Sequence, residues 1–297
     1  ACGCVSDGGF RMRTVLEPPR TRVEFDFPFR LNPHTAAVSS VGSCFADEVA
    51  GRLADAGFDV VRNPNGIVYN PVSLADSVLG QDADLFEFNG LWHSWNHHGS
   101  FSSASRGELE QKIENARSSF REHLRKSDLL ILTPASAVVF QLIENQQIVA
   151  NCHKVPGTRF LRRLLTFQEC CAALDSIAEF VASAAPECRI VFTLSPVRHN
   201  PGDLVLNSRS KSLTLNAIHE CVDRFDNAFY FPAFEIMNDE LRDYRFYKED
   251  MLHPNALAVD IITRSFAAAC FGEEALKMLD SAAQRARRSR HLPGGPD

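Results

Sequence analysis

Short apolar runs alternate along this chain with longer stretches in which apolar residues return every three or four positions. The short runs fall at 36–42, 58–61, 128–133, 189–194 and 228–231. They are rich in Val, Ile, Leu and Phe and bounded by turn formers, the pattern of strands buried in a parallel sheet. The longer stretches predict helices. Phe45, Val49 and Leu53 recur at a spacing of four, and Gly57 ends that helix as a C′ residue. Further helices are predicted over 72–80, 107–126, 167–183, 208–226 and 233–241, from Pro254 through Phe266, and over 273–287. Residues 85–101 and 138–150 interrupt the alternation and read as inserted hairpins, while 12–35, rich in Pro and Arg, reads as an extended lead-in. Five strands alternating with helices predict an α/β fold: a three-layer α/β/α sandwich around a mostly parallel five-stranded sheet. Ligand sites in such sheets gather at the carboxyl ends of the strands.

Composition narrows this picture only slightly. At 297 residues, 45% hydrophobic and 23% charged, the chain can bury a sizeable core, and one domain is expected over 12–272. Residues 273–297 read as a last helix with a basic tail, assigned no nucleic-acid role. A net charge of −6 offers no general attraction to nucleic acid or anionic lipid, and no apolar run approaches the ~20 residues of a membrane span. Residues 1–11 lack the regions of a signal peptide and precede Met12, which reads like a natural start, so they are expected to be a non-native or disordered extension. Nine scattered cysteines suit reduced thiols better than a disulfide framework, and a cytoplasmic location is expected.

The chemistry begins at Gly42-Ser43, the turn between the first strand and the first helix. A serine there either N-caps the helix or acts as a nucleophile, with the first-turn N–H groups ready for an oxyanion. The second reading needs a base, and Asp250-x-x-His253 supplies one: an Asp three residues before a His accepts from one imidazole nitrogen and leaves the other free. The turn-dense loop Asn63-Pro64-Asn65-Gly66-Ile67-Val68-Tyr69-Asn70-Pro71 follows the second strand, where an α/β enzyme lines its site, making Asn65 and Asn70 candidate substrate contacts. Trp95, His97, His98 and, less directly, His153 are further candidates, as are Arg198 and His199 after the fourth strand. His93, His97 and His98 raise a metal site, but Asp84 and Glu87 lie well upstream and no HExxH pattern occurs, so neither metal nor cofactor is expected.

Gly42-Ser43-Cys44-Phe45-Ala46 resembles the signature of the GSCFA domain family, grouped with the SGNH (GDSL-like) hydrolases. The likeness extends through Asn63–Pro71, Trp95–His98, Val149–Lys154, Ser195–His199, Pro232–Ile236 and Asp243–Pro254, spanning roughly residues 12–270. It implies an SGNH-like, flavodoxin-like fold with Ser43 as nucleophile, His253 as base and Asp250 orienting it. It also implies an oxyanion hole from the Ser43 N–H, a glycine, for which Gly66 is the candidate, and an asparagine. Thr133-Pro134-Ala135-Ser136-Ala137 carries no Asn, so Asn151 or a backbone donor near Ser136 is the substitute. The expected activity is cleavage of a small-molecule or carbohydrate ester, such as an O-acyl group, through an acyl-enzyme. The alternatives are an O-acyltransferase with the same triad, or a non-catalytic glycan-binding module with the same fold.

Overall fold

The computed structural model describes residues 21–82, 84–199 and 202–291; the expected extension 1–11 lies outside them. The chain runs β1 (Ala37–Gly42), α1 (Cys44–Ala56), β2 (Asp59–Arg62), α2 (Pro71–Leu79), β3 (Leu85–Phe88), β4 (Leu91–Ser94) and α3 (Arg106–Arg125). It continues through β5 (Leu129–Thr133), β6 (Val138–Leu142), β7 (Ile148–Val149), β8 (Phe160–Leu164), α4 (Phe167–Ala184) and β9 (Arg189–Phe192). The last elements are α5 (Leu204–Arg224), β10 (Ala228–Tyr230), the short α6 (Ala233–Glu235), α7 (Ala256–Phe271) and α8 (Glu273–His291).

Five strands form one parallel sheet in the order β10-β9-β5-β1-β2. Counted along the chain this is the flavodoxin-like order, whose switch point lies between β1 and β5. Alternate strand residues enter opposite cores. Val38, Leu129, Ile131 and Val191 pack with α1, α7 and α8, whereas Val41, Leu130, Leu132 and Phe192 pack with α2, α4 and α5. An apolar run buried on both faces is thereby explained, each Leu or Ile contributing roughly 1.5–3 kcal/mol. The lead-in from residue 21 covers the first core with Phe25, Phe27 and Phe29, which meet Phe229 and Phe231 edge to face. Among the described residues no helix is long and apolar enough to cross a membrane.

The two insertions form a satellite. β3 and β4 make the expected hairpin, and α3 lays Leu109 and Ile113 against it while Phe120 and Leu124 enter the main core. β6 pairs with β7 as expected but also with β8, which makes a three-stranded antiparallel sheet. That third strand, Phe160-Leu161-Arg162-Arg163-Leu164, was not foreseen, because its two arginines obscure the alternation. Helix α5 begins at Leu204, ahead of the expected 208, where Asp203 caps it by accepting from the Leu206 N–H.

Gly42 closes β1 where the sheet is tightest. A Cβ there would lie 2.5 Å from the Thr133 carbonyl oxygen, and the backbone has φ +152°. The Gly42→Ala substitution is expected to cost at least ~2 kcal/mol through a clash that backbone atoms cannot relieve. Urea unfolding checks this: the midpoint falls with an unchanged slope, and a loss under ~0.5 kcal/mol would contradict the packing described.

Candidate active site

Ser43 sits at the carboxyl edge of the sheet, beside the switch point. α2, α3, α4, α5 and α7 each begin with a side-chain cap, from Asn70, Ser105, Thr166, Asp203 and Asn255. α1 does not: Ser43 occupies its N-cap position but makes no side-chain capping bond. Its hydroxyl is fully buried and has no hydrogen-bond partner. Leaving a buried hydroxyl unpaired costs ~1–3 kcal/mol, and such groups mark strain or function. The N-cap reading of Ser43 therefore fails on the geometry. The neighbouring Cys44 thiol is pushed up by burial and by Glu48, so it stays protonated and is not the reactive group.

The Asp250–His253 pair has the geometry its spacing suggests. His253 Nδ1 lies 2.7 Å from Asp250 Oδ2, while Asp250 Oδ1 accepts from the backbone N–H groups of Leu252 at 2.8 Å and His253 at 3.0 Å. Those backbone bonds, the His253 N–H foremost, hold the carboxyl at about 2. An ionised carboxylate only accepts, so Nδ1 carries the proton and Nε2 of the neutral ring keeps its lone pair. The loop is a tight one: Lys248 N–H donates to the His253 carbonyl, and Met251 is left-handed at φ +58°. Non-glycine residues rarely adopt this conformation, and it gathers at functional sites. Lys248 bonds Glu48 of α1 at 3.0 Å, and Arg198 N–H donates to the Leu252 carbonyl, tying the loop to the first helix and to the segment after β9. No hydrogen bond joins Ser43 to His253 in this conformation.

The expected oxyanion donors are bonded to other groups or, in the case of Asn151, placed in the satellite. Ser43 N–H donates to the Thr133 carbonyl at 3.1 Å, and Gly66 N–H closes a turn onto Asn63 at 2.8 Å. Asn151 sits in the satellite, where its side chain accepts from His153 N–H. The backbone donors near Ser136 serve structure too: Ala135 and Ser136 both donate to the Tyr69 carbonyl. In place of these, the first-turn N–H groups of α1 have no side-chain acceptor from the N-cap.

Six of the eight residues expected to line the substrate have structural partners instead, three of them in the satellite. Trp95 is buried with Phe86 stacked at 3.5 Å, and His153 bonds the Ser94 carbonyl at 2.7 Å while packing on His93. His97 bonds the Ser94 hydroxyl, and burial pushes its ring down to about 4. Asn70 caps α2, and buried Asn65 reaches the Ser77 carbonyl. Exposed His98 packs on Gly66, whose missing Cβ would lie 2.2 Å from that of His98. Arg198 and His199 do belong to the edge. Arg198 lies over the Tyr247 ring at 5.1 Å, and His199 is buried against Tyr69 with Nε2 unpartnered. Burial, with Lys211 and His253 nearby, pushes His199 down to about 3, so it is neutral. Among the described residues no three His, Cys or carboxylate groups converge as a metal site.

Lys211 escaped the sequence reading. It is 3% exposed on the inward face of α5, with its ammonium against the Ser195 carbonyl, and burial pushes it down to about 7. The signal was present: Asn207, Lys211, Thr214, Ile218 and Cys221 recur at helical spacing, which puts a lysine on the buried stripe.

The fold and edge thus define a parallel α/β protein with a serine and an Asp–His pair at one rim. The GSCFA family model matches residues 37–266, and the chain belongs to that family. Similar solved structures include an acetyl xylan esterase from the rumen bacterium Butyrivibrio proteoclasticus, at 7% identity and TM-score 0.44, covering 80% of this chain and 63% of that one. Another is a carbohydrate esterase family 3 protein from Talaromyces cellulolyticus, at 10% identity and TM-score 0.39, covering 83% of this chain and 99% of that one. Among curated proteins none matches the sequence.

Asp250 titrates below its ordinary 3.8, so its hold on the His253 loop is complete above that value and is lost as pH falls through about 2. Carbon-detected NMR of the Asp250 carboxyl should give a midpoint near 2; a midpoint at 3.8 or above would contradict the bonding described.

Proposed function

We propose that the protein is a serine ester hydrolase in which Ser43 is the nucleophile, His253 the general base and Asp250 its orienting partner. The observation that carries this reading is the Ser43 hydroxyl, buried without a partner at the head of α1, where it makes no capping bond. The Asp250–His253 pair supports it, since the imidazole tautomer is already set to accept a proton at Nε2.

In the proposed reaction His253 Nε2 takes the Ser43 proton as Oγ attacks the ester carbonyl. The tetrahedral oxyanion lies toward the free first-turn N–H groups of α1, which replace the expected donors. Collapse transfers the proton from His253 to the departing alcohol and leaves an acyl-serine. Water, activated by the same imidazole, then releases the acid and restores the hydroxyl. Because Ser43 is fully buried, the ester enters only if the rim opens, and the 248–253 loop is the segment proposed to move. Its strained Met251 and its single ion pair to α1 suit it to that movement. The substrate class is an ester of a polar alcohol, an O-acyl group on a carbohydrate being the favoured case.

Hydrolysis of p-nitrophenyl acetate tests the assignment. Ser43→Ala and His253→Ala should each lower kcat/KM by at least ~10³-fold, and Asp250→Asn by ~10²–10⁴-fold, with unfolding midpoints unchanged. Activity surviving in Ser43→Ala at more than a tenth of wild type would refute the nucleophile.

A further inference from the structure

Lys211 has no role in the proposed mechanism, yet its burial needs an explanation. Its ammonium has the Ser195 carbonyl as its hydrogen-bond partner and stands over the Phe234 ring at 5.9 Å. Among the described residues the titratable or charged groups around it are Cys44 at the head of α1 and Arg198 and His199 after β9, with no carboxylate. A buried cation without a counter-charge is costly, and folds normally supply an acid partner or use an apolar residue. This fold does neither. Instead Lys211 forms the inner wall of a cleft of about 310 Å³ that also presents Arg198, Asn207, Ser208 and Ser212 above an apolar floor at Phe234. Among the described residues no Asp or Glu lines it. The amide oxygen of Asn207 is buried there without a partner, and the Ser208 and Ser212 hydroxyls, which donate to the Leu204 and Ser208 carbonyls, keep lone pairs that can accept from a ligand's hydroxyls.

We propose that this cleft binds the anionic group of a ligand, a carboxylate or a phosphate, between Lys211 and Arg198, while the hydroxyls of Ser208 and Ser212 meet the polar body that carries it. The location suits a substrate. Arg198 is bonded through its N–H to Leu252, the residue before His253, and Lys211 is bonded to Ser195 at the end of β9. Assigning the anion to the ester substrate, an acidic sugar ester, rests on the hydrolase reading; the binding of the anion does not.

Isothermal titration of the full chain at about pH 6 with glucuronate, glucose 6-phosphate and glucose tests the site. At least one of the two anionic sugars should bind about tenfold or more tightly than glucose, and which one does so distinguishes carboxylate from phosphate. Lys211→Met should bring that affinity to within about twofold of the glucose value, and Arg198→Gln should weaken it independently, so that a folding defect in one variant leaves the other informative. Wild-type affinity should fall about tenfold from about pH 6 to about pH 8, as Lys211 loses its proton near 7. Ser43→Ala should bind as wild type does, which separates this site from the fate of the hydrolase assignment. Equal affinity for glucose and the anions, no detectable binding of either anion, or unchanged binding in both variants would overturn it.

Discussion

Three neighbours converge on Gly42. Its N–H donates to the Asn63 side chain at 2.8 Å, its carbonyl accepts from Val68 at 3.0 Å, and the Thr133 backbone occupies the space a Cβ would need. These contacts fasten the ends of β1 and β5 and the loop after β2 to one another. With the chain so held, Ser43 N–H continues the sheet onto Thr133, and α1 must start there with its serine at the rim. Asn63 extends the clamp by donating to Asp47 in the first turn of α1. The position of the hydroxyl is thus a consequence of sheet packing, and its failure to cap follows from the turn.

The molecule divides its polar residues between two tasks. On one side the β3–β4 hairpin and the β6–β7–β8 sheet use His93, His97, His153, Asn151 and Trp95 to build small cores. There the His97 and His153 rings meet the Ser94 hydroxyl and carbonyl and Asn151 accepts from His153 N–H, while His93 Nδ1 and Asn96 Oδ1 stay unpaired. On the other side, around α5 and the 195–199 and 248–253 segments, several buried polar atoms stay unmatched: Ser43 Oγ, Thr133 Oγ1, Thr193 Oγ1, His199 Nε2 and Asn207 Oδ1. A region that leaves this much hydrogen bonding unspent is suited to receive a ligand.

The sheet was legible because buried parallel strands read as continuous apolar runs and its helices carry stripes and stops such as Gly57. The Asp250–His253 pair was legible because three residues span one turn, so local geometry fixes it. The satellite was not. Its histidines and tryptophan have the composition of a binding surface, and only the third strand, Phe160–Leu164, with the stacking of Phe86 on Trp95, makes them a core. The oxyanion donors failed for a related reason: sequence names a residue, but whether its N–H is free depends on partners such as Thr133 and Asn63, distant or in the same turn. Lys211 stood on a readable stripe, and a charge there carries information that helix assignment alone discards.

Peptide mapping after reaction with a fluorophosphonate tests the central assignment most directly, because the probe reports which hydroxyl the protein itself activates. The account predicts a single adduct on Ser43, formed by wild type and suppressed in His253→Ala. An adduct on another serine, or none at concentrations that label ordinary serine hydrolases, would contradict it.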